Sequence, residues 1–409
     1  LTDGGYRQHL GFFLADASPA TPATLGFSSG RFSVGNALDI GVGGFGAFAA
    51  SGVTLACGRA RVGGAAGSIG VYTQTAGANT FNAESWIGFD SGTGTLNVAG
   101  GSLVVNGDLR VAGNPGDQSV RAFRPDGTIT VSNALLRCNT LNFTPWWPNT
   151  GVCSNNLAGT VNLQSGAQLE ITGITKNDDP ISTIRFSGGL LRARTGNANF
   201  FTMGQTYSTL RIIADAGAYA TFDTGSYTVG IQNPAARLFF TGAGGFRKLG
   251  TGILSLACDL ADYTGDTMID AGALQLGAND TIPGGPGFGD VYLASGAILD
   301  LNGKSDSVNR LRGYGAVLST NTLVPARLGV LADGSDDTWE RTWVTGNVVL
   351  EKLGTGTLTL TAARAAPTNL TVSAGTVRLA SSPGYPFYRF KVEGVTNPAV
   401  ANSMQLAEF

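Results

Sequence analysis

Few residues in this chain have the type and spacing to do chemistry. Cys138 and Cys153 flank the stretch LNFTPWWPNTG, and a disulfide could pin that excursion. Closing a loop of about 15 residues would contribute roughly 3 kcal/mol in the chain-entropy model. The alternative is a free thiol within a strand. Inside the excursion, Trp146 and Trp147 stand between Pro145 and Pro148. They could form an aromatic platform for a sugar or a protein partner, since long loops on a rigid scaffold often carry binding. Packing of both indoles against the flank of the scaffold is the competing reading. Cys57 and Cys258 fall at apolar positions of VTLAC and LSLAC and read as small buried hydrophobes. No cysteine spacing is that of a zinc site.

The acids are no more suggestive of catalysis. Asp178–Asp179 and Asp336–Asp337 are adjacent pairs in turn-like segments, and neighbours on a strand point to opposite faces. Asp333, Asp336 and Asp337 could offer oxygen ligands to calcium. Their spacing fits neither an EF-hand loop nor the calcium-binding nonapeptide, so a solvated loop is expected. His9 is the single histidine. A Ser-His-Asp triad would have to use it, and no nucleophile elbow is present. The Gly-rich run Gly41 to Gly46 lacks the Lys-Ser/Thr ending of a phosphate loop, and no helix pattern follows it. No catalytic, metal or cofactor residue is assigned on these grounds. Packing of the two indoles is the favoured reading, and if the chain binds a ligand the loop at Trp146 and Trp147 or the one at Asp333 is where binding is expected.

The elements that must hold those loops are clearer. KLGTGILSLACDLADYTGDTMIDAGALQL, from Lys248, and KLGTGTLTLTAARAAPTNLTVSAGTVRLA, from Lys352, are nearly one sentence written twice. In the first, Leu254, Leu256, Leu274 and Leu276 alternate with other residues. In the second, Leu358, Leu360, Val377 and Leu379 take those places. Period two puts one side-chain set on one face of a strand. Gly272 and Gly375 supply the backbone freedom of a corner. A short form of the pattern, a small residue, Gly and then alternating apolar positions, recurs around Gly166, Gly188, Gly217 and Gly296. Repeats of roughly 20 to 30 residues are too short for a propeller blade and suit one coil of a parallel β-helix.

These two stretches resemble the autotransporter-associated β-strand repeat of bacterial surface and secreted proteins. A looser similarity covers residues 50 to 380, including IGVYTQTAGANTF and GTGTLNVAGGSLVV. The resemblance implies a right-handed β-helix, and it implies little about function, because such repeats occur in adhesins, proteases and stalks. After SSPGYP, the tail FYRFKVEGV and ANSMQLAEF resembles the opening of a discoidin-like β-sandwich.

Composition agrees with an all-β solenoid. The 409 residues include 61 glycines, only 13% charged residues and 43% hydrophobic ones. That much glycine disfavours helices, and that much apolar content disfavours disorder. A solenoid tolerates the length because each coil touches only its neighbours. We expect a cap or arm at 1–30, a parallel β-helix at 31–381, and C-terminal strands at 382–409 that begin a sandwich or reach another subunit. About 20 residues per coil gives some 16 to 18 coils and a rod of roughly 80 Å. The net charge of −2 comes with no basic patch, so nucleic acid is not an expected partner. No run of 18 apolar residues is present, so no membrane-inserted helix is expected. The first expectation is a non-catalytic extracellular rod of a surface structure or fibre, assembling head-to-tail with copies of itself. An adhesin that binds glycan or cell surface through flank loops is the second. A polysaccharide lyase or hydrolase is the third.

Overall fold

The computed structural model describes residues 6–8, 12–14, 23–65, 67–89, 92–113, 126–143, 159–176, 181–203, 209–232, 237–258, 260–339, 343–361 and 369–379. Among these there is no α-helix. The strands stack as a parallel β-solenoid of about 12 turns. One isolated antiparallel bridge, Gln164 with Gly188, departs from the parallel pairing of the strands.

The register of the stack follows the alternation in the sequence. On one face Tyr72 pairs with Leu96, Leu96 with Ile129, Ile129 with Val161, and Val161 with Ile184. All five are fully buried. Each coil therefore places its apolar residue on top of the one below, about 4.8 Å away. Inward residues form one continuous core, and outward residues form columns running along the stack.

The coils are mostly longer than 20 residues and vary in length, although Leu299 and Val317 pair across only 18. A partner one coil away is 24 residues distant at Leu55 and Asn79, but 33 at Arg137 and Glu170. This is why the turns are fewer than the 16 to 18 expected. Each excursion lengthens its own coil without altering the inward positions, because a coil is held only by the coils above and below.

Corners are fixed by glycine where backbone crowds backbone. Gly41, Gly63 and Gly88 occupy the same level in successive coils, all with φ between 64° and 70°. A Cβ on Gly63 would meet the Thr93 carbonyl oxygen at 2.0 Å. Ala112 continues this column at φ 57°. Gly272 and Gly375 are also left-handed, at 62° and 73°.

At the N-terminal end, Phe12–Leu14 pairs in parallel with the strand Arg31–Val42, Phe12 beside Leu38 and Leu14 beside Ile40. Tyr6–Gln8 pairs with the same strand. The stretch 382–409, with its discoidin-like resemblance, lies outside the described residues.

Candidate functional site

The two repeat copies first disclose a structural device. Lys248 occupies an inward position, in register between Phe222 and Ile269, and is fully buried. Its Nζ donates to the carbonyl oxygens of Gly250 at 2.6 Å, Gly252 at 2.7 Å and Ala271 at 2.9 Å. Leu249 O and Thr224 Oγ1 lie at 3.2 Å. The ammonium thus clips the KLGTG corner to the Ala-Gly corner of the next coil. Lys352 does the same in its copy, donating to Leu353 O, Gly354 O and Ala374 O. Within each copy the two halves stack directly, Leu254 on Leu274 and Leu358 on Val377. Burial pushes the Lys248 ammonium down to about 8, against the pull of Asp223. Burial lowers Lys352 as well. These lysines hold the scaffold and face no solvent.

The sites expected from sequence are placed unevenly. Trp146, Trp147 and Cys153 lie outside the described residues, as do His9 and the pair Asp178–Asp179. Cys138 is fully buried in the core, and burial raises its thiol, so it stays protonated at neutral pH. It carries no disulfide to any other described cysteine. Cys57 is buried in the same way, while Cys258 is only half-buried, just past the strand Ile253–Ala257. The acids around Asp333 are each committed to a local task. Asp333 accepts from Ser335 N and Oγ, Asp336 accepts from Thr357 N, and Asp337 pairs with Arg312 at 2.7 Å. Among the described residues no three His, Cys, Asp or Glu side chains converge as a metal site.

Outward columns of the largest sheet carry chains of ion pairs. Arg137, Glu170, Arg192 and Asp223 stand in register on four successive coils. Glu170 pairs with Arg137 at 2.6 Å and with Arg192 at 3.5 Å, and Arg192 pairs with Asp223 at 2.8 Å. The signs alternate along the column, so neighbouring coils attract. These arginines are about two-fifths exposed, so each pair contributes modestly, on the order of 1 kcal/mol or less.

A second column, nearer the N-terminal end, is built differently. Asp39, Arg61, Trp86 and Arg110 are in register on four coils. Asp39 is fully buried and receives two hydrogen bonds from Arg61, the Nε one at 2.5 Å. Glu84 pairs with Arg110. The Arg59 guanidinium lies over the Trp86 ring and that of Arg61 over the Phe89 ring, each 5.6 Å from the ring centroid. Gly64 makes room for Phe89, since a Cβ there would meet the ring at 2.1 Å. The strand Ser85–Phe89 is consequently buried on both faces. The outer layer over it is made of arginine and aromatic side chains, and this is the candidate functional site. Nothing in the alternation of the sequence singled out these residues. The one visible signal was WIGF, an aromatic-apolar run without polar relief.

With this geometry in view, comparison with known proteins is informative in one respect. Over 274 residues the chain is 28% identical to the Adhesin BmaC autotransporter of Brucella suis biovar 1 (strain 1330). The matched stretch covers 66% of this chain and 7% of that adhesin's length. No family model matches the chain. No solved structure matches it either. Two thirds of the chain is therefore similar in sequence to a small part of a much longer adhesin.

Proposed function

We propose that the chain is an adhesin-like β-solenoid passenger, exposed at a bacterial surface and non-catalytic. The observation that carries this reading is the similarity to an autotransporter adhesin across two thirds of the chain, on a scaffold that stacks as a parallel solenoid. The solenoid supplies a stiff column, and contacts are made by its flanks. Adhesion stands ahead of a passive rod, because the relative named for adhesion is 28% identical over 274 residues of this chain. A polysaccharide-cleaving role has less support. Asp333, Asp336 and Asp337 are each tied to backbone or arginine partners.

The test is display of this chain on a non-adherent bacterium, with adherence to cultured host cells counted against the empty display vector. Adherence above the vector is the expected result. Counts equal to the vector would refute the reading.

A further inference from the structure

The Arg59–Trp86 cluster has a hydrogen-bonding imbalance that the packing does not explain. Trp86 is 6% exposed, and among the described residues its buried Nε1–H has no acceptor. Buried donors are nearly always paired. Beside it Arg59 is exposed and, among the described residues, makes no ion pair; its contact is the Trp86 ring. Arg61 and Arg110 flank Trp86 in register, but Asp39 and Glu84 neutralise them. On the side of the indole opposite Arg59, Asp108, in register with Glu84, accepts from the Thr140 N–H. On the Arg59 side the described residues leave one unpaired positive charge and one unmatched donor. Both groups can only donate, so the missing partner is an acceptor and carries about one negative charge.

The neighbouring acid narrows the class further. The Glu84 side chain is 36% exposed at the rim, on the coil that carries Trp86. A polyanion, such as a sulfated polysaccharide or a nucleic acid, would be repelled there. A sugar with a single carboxylate would not, since its hydroxyls donate to Glu84 while its carboxylate accepts from Arg59. We propose that this cluster is a binding site for a saccharide bearing one carboxylate. The carboxylate engages Arg59 in a charge-assisted pair, and Arg59 swings off the ring to admit it to the Trp86 Nε1–H. This assignment rests on the adhesin reading for its source of ligand, and differs from it in naming the residues and the chemistry.

The experiment follows the tryptophan indole N–H signals of the 15N-labelled chain in two-dimensional NMR. The titrants are 3′-sialyllactose (one sugar carboxylate), lactose (none) and a sulfated heparin disaccharide (several charges). We expect 3′-sialyllactose to shift one indole N–H, with that signal absent in Trp86→Phe. Lactose should leave it unmoved. Arg59→Gln changes an exposed side chain and should weaken binding by about tenfold or more, the loss of one charge-assisted contact. The proposal is overturned if 3′-sialyllactose moves no indole signal, if the moved signal survives in Trp86→Phe, or if lactose or the heparin disaccharide binds as well. Adherence of the displayed chain separates the two readings. Wild-type adherence with a silent titration removes this site and leaves the adhesin role standing. Absence of adherence removes that role whatever the titration shows.

Discussion

Replacing Lys248 with Met tests the device on which both repeat copies are built. Methionine keeps a long apolar stem of similar reach in the core column between Phe222 and Ile269. It removes the ammonium from the carbonyl oxygens of Gly250, Gly252 and Ala271. Gly252 O keeps the Ala273 N–H, so Gly250 O and Ala271 O are the two left without a donor; at about 1–3 kcal/mol each they cost roughly 4 together. One term offsets this. The native lysine is held dehydrated, with its ammonium lowered from 10.5 to about 8, which at 1.36 kcal/mol per unit is about 3 kcal/mol that methionine does not carry. The balance is a loss of about 1 kcal/mol. Urea unfolding at neutral pH should show a lower midpoint, and hydrogen exchange should speed up first at the corner amides near Gly252 and Ala273. The pH dependence gives a second reading. The native fold holds this proton less tightly than the unfolded chain does. Its contribution is therefore at its low plateau below about 8 and rises toward the ordinary lysine value; in Lys248→Met that rise disappears. A variant as stable as the native chain, with unchanged corner exchange, would refute the clip.

Four other outcomes follow from the same fold. Asp306 is buried and accepts from the backbone N–H groups of Thr281, Ile282 and Ser307, and burial raises its carboxyl to about 7. Its favourable contribution is full below the ordinary carboxyl value and lost as pH rises through about 7. Asp306→Asn should flatten the stability profile between pH 4 and 7, by up to about 4 kcal/mol, in pH-resolved denaturant titrations. Ala112→Gly should stabilise by up to about 1 kcal/mol in the same assay, because alanine holds a left-handed conformation there. Gly63→Ala should cost more than about 3 kcal/mol, since its Cβ would press on the Thr93 carbonyl. Glu170→Gln should cost less than about 1 kcal/mol, and high salt should shrink the difference, because its arginine partners are substantially exposed.

The fold was legible because a solenoid writes itself locally. Leu254, Leu256, Leu274 and Leu276 alternate inward as their spacing predicts, and all are buried. Gly272 and Gly375 sit at left-handed corners, where a side chain would collide with the carbonyls of Gly252 and Gly356. What alternation hid was the polar residue that turns inward. Lys248 and Lys352 count as surface residues by type. Only the carbonyls gathered at each corner explain why an ammonium belongs inside. The candidate site was hidden for another reason. Asp39 and Arg61 are 22 residues apart, and Glu84 and Arg110 are 26. Coils elsewhere reach 33. With variable coil length, no fixed interval brings these residues into one column, and only the observed register does.

The inward lysines leave a chemical mark on the outside of the molecule. Lys176, Lys248 and Lys352 are all fully buried, so among the described residues Lys304 alone offers a primary amine toward solvent. The remaining positive charge on the flanks is guanidinium, which does not deprotonate in any physiological range. Amine-directed crosslinkers and biotin esters will find little to react with along the stack, and coupling through arginine or an introduced thiol is the practical route to attaching it to a surface.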